Sequence, residues 1–230
     1  MSCDHIIIDG VRDSDMLLSV VGRPKISTPD FEFEETYVEG VNGSFDRLKY
    51  IKDVTQKVEF NILENFNIKE KLRHIKSWLF NCKKFHFDDD IVFRKVKRVE
   101  IGDISNDIAE YGEFEVTFIC DPFEYRLGTD EVTIVESGTI NNRGTYYSLP
   151  KLEILGHGTG TITINGSPIK LNLTVEHACI DSEIQEIYKN DENLGLSMIG
   201  DFPILKIGEN KIKIEGDFDS VKFEVRERYL

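Results

Sequence analysis

Apolar side chains recur at every second position through most of this chain, the spacing of strands with one face buried. Val58, Phe60 and Ile62 alternate with Glu59 and Asn61, and Phe114, Val116 and Phe118 alternate with Glu113, Glu115 and Thr117. Further on, Ile162 and Ile164 stand between threonines, and Ile169, Leu171, Leu173 and Val175 follow the same rule. Val221, Phe223 and Val225 form a last alternating run. Turn residues separate these runs. Asn165-Gly166-Ser167-Pro168 reads as a hairpin turn, and Gly208-Glu209-Asn210 as the lead into another strand. The pattern predicts a mainly β protein.

One segment changes period. Ile68, Leu72, Ile75 and Leu79 recur at helical spacing, with Trp78 and Phe80 widening the apolar side. Asn67 and Glu70 stand three apart, the arrangement of a capping box. Residues 68–80 are therefore expected to form one amphipathic helix packed on the first sheet, with Trp78 in the core.

The texture shifts near residue 128. Before it, strands are long, charged and aromatic; after it, Thr, Ile and Gly dominate and strands look short, as in a β-sandwich. We therefore expect domains at residues 1–128 and 129–230, with residues 138–144 as an irregular connection. The 230-residue length favours two domains.

Charge adds a constraint. The formal net is −14, shared equally by the two expected domains. Nucleic-acid-binding proteins usually present a basic face, and the one basic concentration is residues 69–98. Those residues hold ten Lys and Arg against Glu70, Asp88, Asp89 and Asp90. The expected reading is an ion-paired face, its cations matched to Asp88–Asp90 or turned toward a partner protein. No apolar run approaches the roughly 18 residues of a membrane span, and Asp4 and Asp9 around Ile6–Ile8 do not resemble a secretory signal.

Candidate chemistry is sparse. The cysteines Cys3, Cys82, Cys120 and Cys179 form no C-x-x-C pair, which argues for reduced thiols and against a zinc ribbon. His5, His74, His86, His157 and His177 include no tight ligand pair. Asp88-Asp89-Asp90 fails as a calcium loop, because Phe93 and Val99 occupy the positions that need Gly and Glu. Gly156-His157-Gly158-Thr159-Gly160 lacks the Gly-Lys-Ser/Thr of a phosphate loop. No catalytic residue, metal ligand or cofactor site is expected, and the chain does not read as an enzyme.

Several longer strings point further. Ile8-Asp9-Gly10-Val11-Arg12 and Val38-Glu39-Gly40-Val41-Asn42-Gly43-Ser44 stand near the start. Trp78-Leu79-Phe80, then Phe87-Asp88-Asp89-Asp90, lead to residues 112–125, GEFEVTFICDPFEY. Ile180-Asp181-Ser182-Glu183 and Ile187-Tyr188 precede residues 200–212, GDFPILKIGENKI. Together, in this order, they resemble the distal tail proteins of long-tailed siphophages, the family often called Dit. Val41 and Asn42 depart from the basic residue expected in the glycine turn.

The resemblance implies a ring-forming N-terminal domain of sheet plus one helix and a C-terminal galectin-like β-sandwich. It also implies a structural, non-catalytic role in the virion, at the phage or prophage tail tip, after synthesis in the bacterial cytoplasm. There a ring, expected to hold six copies, would join the tail tube protein to the baseplate and to tail fibre, lysin or tape-measure proteins. Duplex DNA would pass through it without specific binding, and no membrane is involved. Residues 22–46, rich in Phe, Glu and Gly, are expected to form an arm embracing the next subunit. Phe31, Phe33, Tyr37, Gly40, Gly43 and Phe45 are the candidate interface residues. The alternative is a carbohydrate-binding β-sandwich recognising cell-wall glycan, for which Tyr146 and Tyr147 are the available aromatics.

Overall fold

A computed structural model describes residues 5–62, 68–103, 112–128 and 130–230. The described residues are mainly β with one α-helix, and the chain divides into two compact units, Met1–Tyr125 with Leu230, and Arg126–Tyr229.

The first unit begins with short strands β1 (Ile6–Ile8), β2 (Val11–Arg12) and β3 (Leu18–Val20). Strands β4 (Phe31–Thr36) and β5 (Phe45–Ile51) follow, then β6 (Val54–Ile62). Helix α1 (Ile68–Phe80) leads into β7 (Lys84–Phe87), β8 (Val92–Ile101) and β9 (Gly112–Arg126). The main sheet runs β2-β1-β7-β8-β9-β6-β3, while β4 and β5 form a separate two-stranded sheet. Along β6 the expected alternation holds: Val54, Val58, Phe60 and Ile62 are buried while Thr55, Lys57 and Glu59 face outward. They meet Phe114, Val116 and Phe118 of β9, paired in register as Val58↔Val116 and Phe60↔Phe114. Phe60 and Phe114 stack at 5.7 Å between ring centres.

Helix α1 has the bounds its period predicts. Ile75 and Leu79 are buried, and Leu72 and Trp78 pack against the same core. Phe80 departs from expectation. It lies on the outer side and is 59% exposed, because it follows Leu79 by about 100° of helical rotation and so turns away from the sheet. The capping residue Asn67 lies outside the described residues.

The second unit is built on two long strands. Its elements are β10 (Glu131–Ile134), β11 (Ser137–Asn142), β12 (Lys151–Ile164), β13 (Ser167–Leu173) and β14 (His177–Asp181). Then come β15 (Glu186–Lys189), β16 (Glu192–Asn193), β17 (Met198–Ile199) and β18 (Gly208–Glu224). Strands β12 and β18 pair along nearly their whole length, with shifts in register at Gly156 and between Gly156 and Gly160. On one side of that irregularity they are flanked by β14 and β10, on the other by β13 and β11. The bend lets Leu152 and Ile154 share one core with Ile162, Ile164, Leu171, Leu173, Ile212, Ile214 and Phe223.

Three expectations are corrected here. Beside the short strands expected stand two long bent ones, β12 and β18, so the runs at Ile212–Ile214 and Val221–Phe223 belong to one strand. Residues 138–144 are not irregular through most of their length, since β11 pairs Ser137 to Asn142 with β18. Val175 lies past the end of β13, in the bend before β14. The turn at Asn165-Gly166 is as expected. Both residues have positive φ (52° and 88°), the type I′ geometry that suits a two-residue hairpin between Ile164 and Ser167.

Candidate interaction surface

The residues weighed for chemistry stay apart. Among the described residues, no group of three or more His, Cys, Asp or Glu side chains is arranged to hold a metal ion. Cys82, Cys120 and Cys179 are buried free thiols, and burial pushes Cys82 and Cys120 up to about 12, far from a reactive thiolate. Burial, with Lys84 alongside, holds His86 below the usual imidazole range. Asp88-Asp89 forms the turn between β7 and β8, where Asp90 Oδ1 accepts from the N–H of Ile91. The glycines of residues 156–160 sit at the bend of β12. Tyr146 and Tyr147 pack on each other at 4.5 Å, and the Arg228 guanidinium lies 4.7 Å from the Tyr147 ring centre.

The arm expected over residues 22–46 is a hairpin. Strands β4 and β5 leave the sheet between β3 and β6 and pair in register as Phe31↔Ile51, Phe33↔Leu48, Glu35↔Asp46 and Thr36↔Phe45. Because side chains alternate across the pleat, one face carries Phe31, Phe33, Leu48 and Ile51 near the root and Glu35 and Asp46 nearer the tip. Phe31 and Phe33 stack at 6.4 Å. Phe31, Phe33 and Leu48 are 45%, 53% and 43% exposed, so the apolar part of this face is largely uncovered by the described residues. The opposite face holds Glu32, Glu34, Thr36, Phe45, Arg47 and Tyr50, with Lys52 paired to Glu32 at 2.7 Å.

The connecting loop contains Tyr37, Gly40 and Gly43. Val41 N–H donates to the Val38 carbonyl, closing a turn whose third residue, Gly40, has φ +83°. That region favours glycine at this position of a type II turn. The Tyr37 hydroxyl donates to Glu35 and the Ser44 hydroxyl to Asp46, fixing both carboxylates near the tip.

The root of the arm is held by two buried polar residues that periodicity alone misses. Gln56 occupies an inward position of β6, and its Nε2 donates to the Lys25 carbonyl at 2.8 Å. Arg94 of β8 donates to the Ser27 carbonyl at 2.9 Å and to the Glu124 carboxylate. The backbone adds Val21 N–H to Glu59 O and Lys52 N–H to Asp30 O. Arg23, Lys25, Gln56, His86, Asp90 and Arg94 help line a cavity of about 350 Å³ beside this strap. The readable signal was the interruption at Gln56 of an otherwise apolar inward row. The candidate residues Phe31 and Phe33 share one face, Phe45 lies on the other, and Leu48, Tyr50 and Ile51 join them.

No family model matches the chain, and no curated protein matches its sequence. Solved structures do resemble it. The crystal structure of the SPP1 Dit protein, a paradigm of hub adsorption apparatus in Gram-positive-infecting phages, aligns over 100% of both chains with a TM-score of 0.74 at 15% identity. A chain of the phage P2 baseplate in its activated conformation with Ca aligns over 99% of this chain and 98% of that one, with a TM-score of 0.55 at 9% identity. The same baseplate in its activated conformation with Sr gives 0.54 over 98% of each, also at 9% identity. Through both of its units, the chain has the fold of a phage distal tail protein.

Proposed function

We propose that this protein is a structural subunit of a phage or prophage tail tip, forming a ring that joins the tail tube to the baseplate and host-adhesion apparatus. The supporting observation is the hairpin arm, whose Phe31, Phe33 and Leu48 face is largely uncovered by the described residues and whose root is clamped by Gln56 and Arg94. Solvent-exposed apolar patches of this kind mark interaction sites. A contact in which an arm on one subunit meets a different surface of the next is heterologous, and such contacts make a ring when the rotation between copies closes. The likeness to tail-hub proteins over the full length of both chains supports the same reading.

Six copies are the expected number, with Phe31, Phe33, Tyr37, Gly40, Gly43 and Phe45 at the interface. The tail tube protein and the fibre, lysin or tape-measure proteins are the expected neighbours, and the role is structural rather than catalytic. Light scattering coupled to gel filtration tests it: the peak should carry six times the 26.5 kDa chain mass. Removing residues 31–43 should leave a folded monomer. A wild-type chain that stays monomeric at its highest soluble concentration, and also when mixed with its tail tube protein, overturns the reading.

A further inference from the structure

The arm is acidic along its first strand and loop, whereas its second strand carries Arg47 and Lys49. Residues 30–46 contain Asp30, Glu32, Glu34, Glu35, Glu39 and Asp46, six acids with no Lys or Arg among them. The opposite extreme is helix α1 and its exit, where residues 69–84 carry six Lys and Arg against Glu70 alone. On the helix, Lys69, Arg73, Lys76 and Phe80 follow one another at i, i+4, i+7 and i+11. That spacing places all four on one stripe, about 110° round the helix from the buried Ile75 and Leu79. All four are exposed. Among the described residues, Lys69, Arg73 and Lys76 have no carboxylate within ion-pairing distance.

The two surfaces correspond in order as well as in charge. Along the arm the sequence is apolar at Phe31 and Phe33, then acidic at Glu35 and Asp46. Along the helix it is apolar at Phe80, then basic at Lys76, Arg73 and Lys69. From Phe31 to Glu35 the strand advances about 14 Å at ~3.4 Å per residue. From Phe80 to Lys69 the helix advances about 16 Å at ~1.5 Å per residue. An antiparallel ribbon of that length can therefore lie along the stripe with its aromatics on Phe80 and its carboxylates on the cations.

We infer that helix α1 is the seat of the arm: the β4–β5 hairpin of one copy docks on the Lys69-Arg73-Lys76-Phe80 stripe of a second copy of this chain. This rests on the reading of the protein as a self-associating subunit and specifies which surface receives the arm. Opposite charge steers the approach and sets the register, and the apolar ends exclude water from the contact.

A charge swap tests it on the full-length chain. Arg73→Glu with Lys76→Glu reverses the seat, and Glu35→Lys with Asp46→Lys reverses the arm; all four positions are exposed, so circular dichroism and the melting temperature should match wild type. Each reversal alone should weaken self-association by about tenfold or more, measured by sedimentation, and the chain carrying both should recover it. Wild-type association that is unchanged by either reversal, or lost in both and not restored by the combination, overturns the seat while leaving the ring reading intact. A wild type that does not associate overturns both. If the seat reversal removes binding to duplex DNA and spares self-association, the stripe belongs to nucleic acid and the inference is wrong.

Discussion

Arg226 holds Asp181 with both terminal nitrogens, Nη1 to Oδ1 at 2.8 Å and Nη2 to Oδ2 at 3.0 Å. The pair ties the chain's last residues to the end of β14, and Asp181 is 6% exposed. Burial alone would raise this carboxyl. The Arg226 bond and charge, with the N–H groups of Glu183 and Ile184, outweigh it and hold the group below its ordinary range. Glu227 behaves alike: burial opposes ionisation, but Arg126, the Arg143 N–H and the Tyr229 hydroxyl keep it low.

Both carboxyls are depressed in the folded state, so their stabilisation is present above the ordinary values of 3.8 and 4.5. It is lost as pH falls through the lower folded values. The expected urea midpoint is therefore flat near neutrality and drops steeply below about pH 4. Arg226→Met leaves Asp181 buried without its partner and should cost about 3 kcal/mol at pH 7. The deficit should shrink in acid, where Asp181 is protonated in either protein. Urea unfolding across pH checks both parts, and an unchanged midpoint at pH 7 would refute the role given to the pair.

How much of this was legible in the sequence depended on whether buried positions were apolar. Leu72, Ile75 and Leu79 announced α1, and Val58, Phe60, Phe114 and Val116 announced the first sheet, because inward positions there hold hydrocarbon. Strand β11 was hidden because one of its two fully buried side chains is Asn142. Its amide donates to the Tyr146 and Leu205 carbonyls and accepts from the Gly144 N–H, so a polar residue satisfies a core position. Gln56 and Arg94 were passed over for the same reason. The arm was legible as a region rich in Phe and Glu, but its pairing was not. The bulge between Glu32 and Phe33 sets which aromatics share a face, and no period reports a bulge.

The bend of the second unit supplies another prediction. Gly216 has φ +105°, and a Cβ there would overlap the Thr159 carbonyl and the Gly160 backbone on the paired strand. Gly160 is confined in turn by the Phe218 ring. Gly216→Ala combines a strained backbone with a clash that no side-chain movement relieves. It should lower stability by about 3 kcal/mol. Gly166→Ala, at φ +88° but in open space, carries the backbone strain without the clash and should cost less. Thermal unfolding of the two variants side by side separates the terms, and equal losses would mean that the close approach of β12 and β18 is unimportant.

The last prediction concerns duplex DNA. From the sequence, the basic residues of 69–98 are expected to match Asp88–Asp90 or to face a partner protein, and the structure gives Asp88 and Asp90 other partners. Asp88 pairs with Arg12 at 2.7 Å, and Asp90 is spent on its own turn. The cations of β8 find other groups because alternate residues of a strand face opposite ways. Arg94 turns inward to Glu124 and the arm root, Lys97 pairs with Asp53, Arg98 with Glu100 at 3.2 Å, and Lys95 lies 4.1 Å from the Tyr125 ring centre. A cation already engaged by a carboxylate releases little counterion on meeting phosphate, and each copy carries a net −14 that repels it. Lys69, Arg73 and Lys76 of the helix stripe have no carboxylate partner among the described residues, and we assign them to the carboxylates of the arm. The wild-type protein should therefore give no gel shift with duplex DNA at submicromolar concentration and about 50 mM salt, a condition that exaggerates electrostatic binding. Submicromolar binding that weakens steeply with added salt would show that the basic residues face nucleic acid after all.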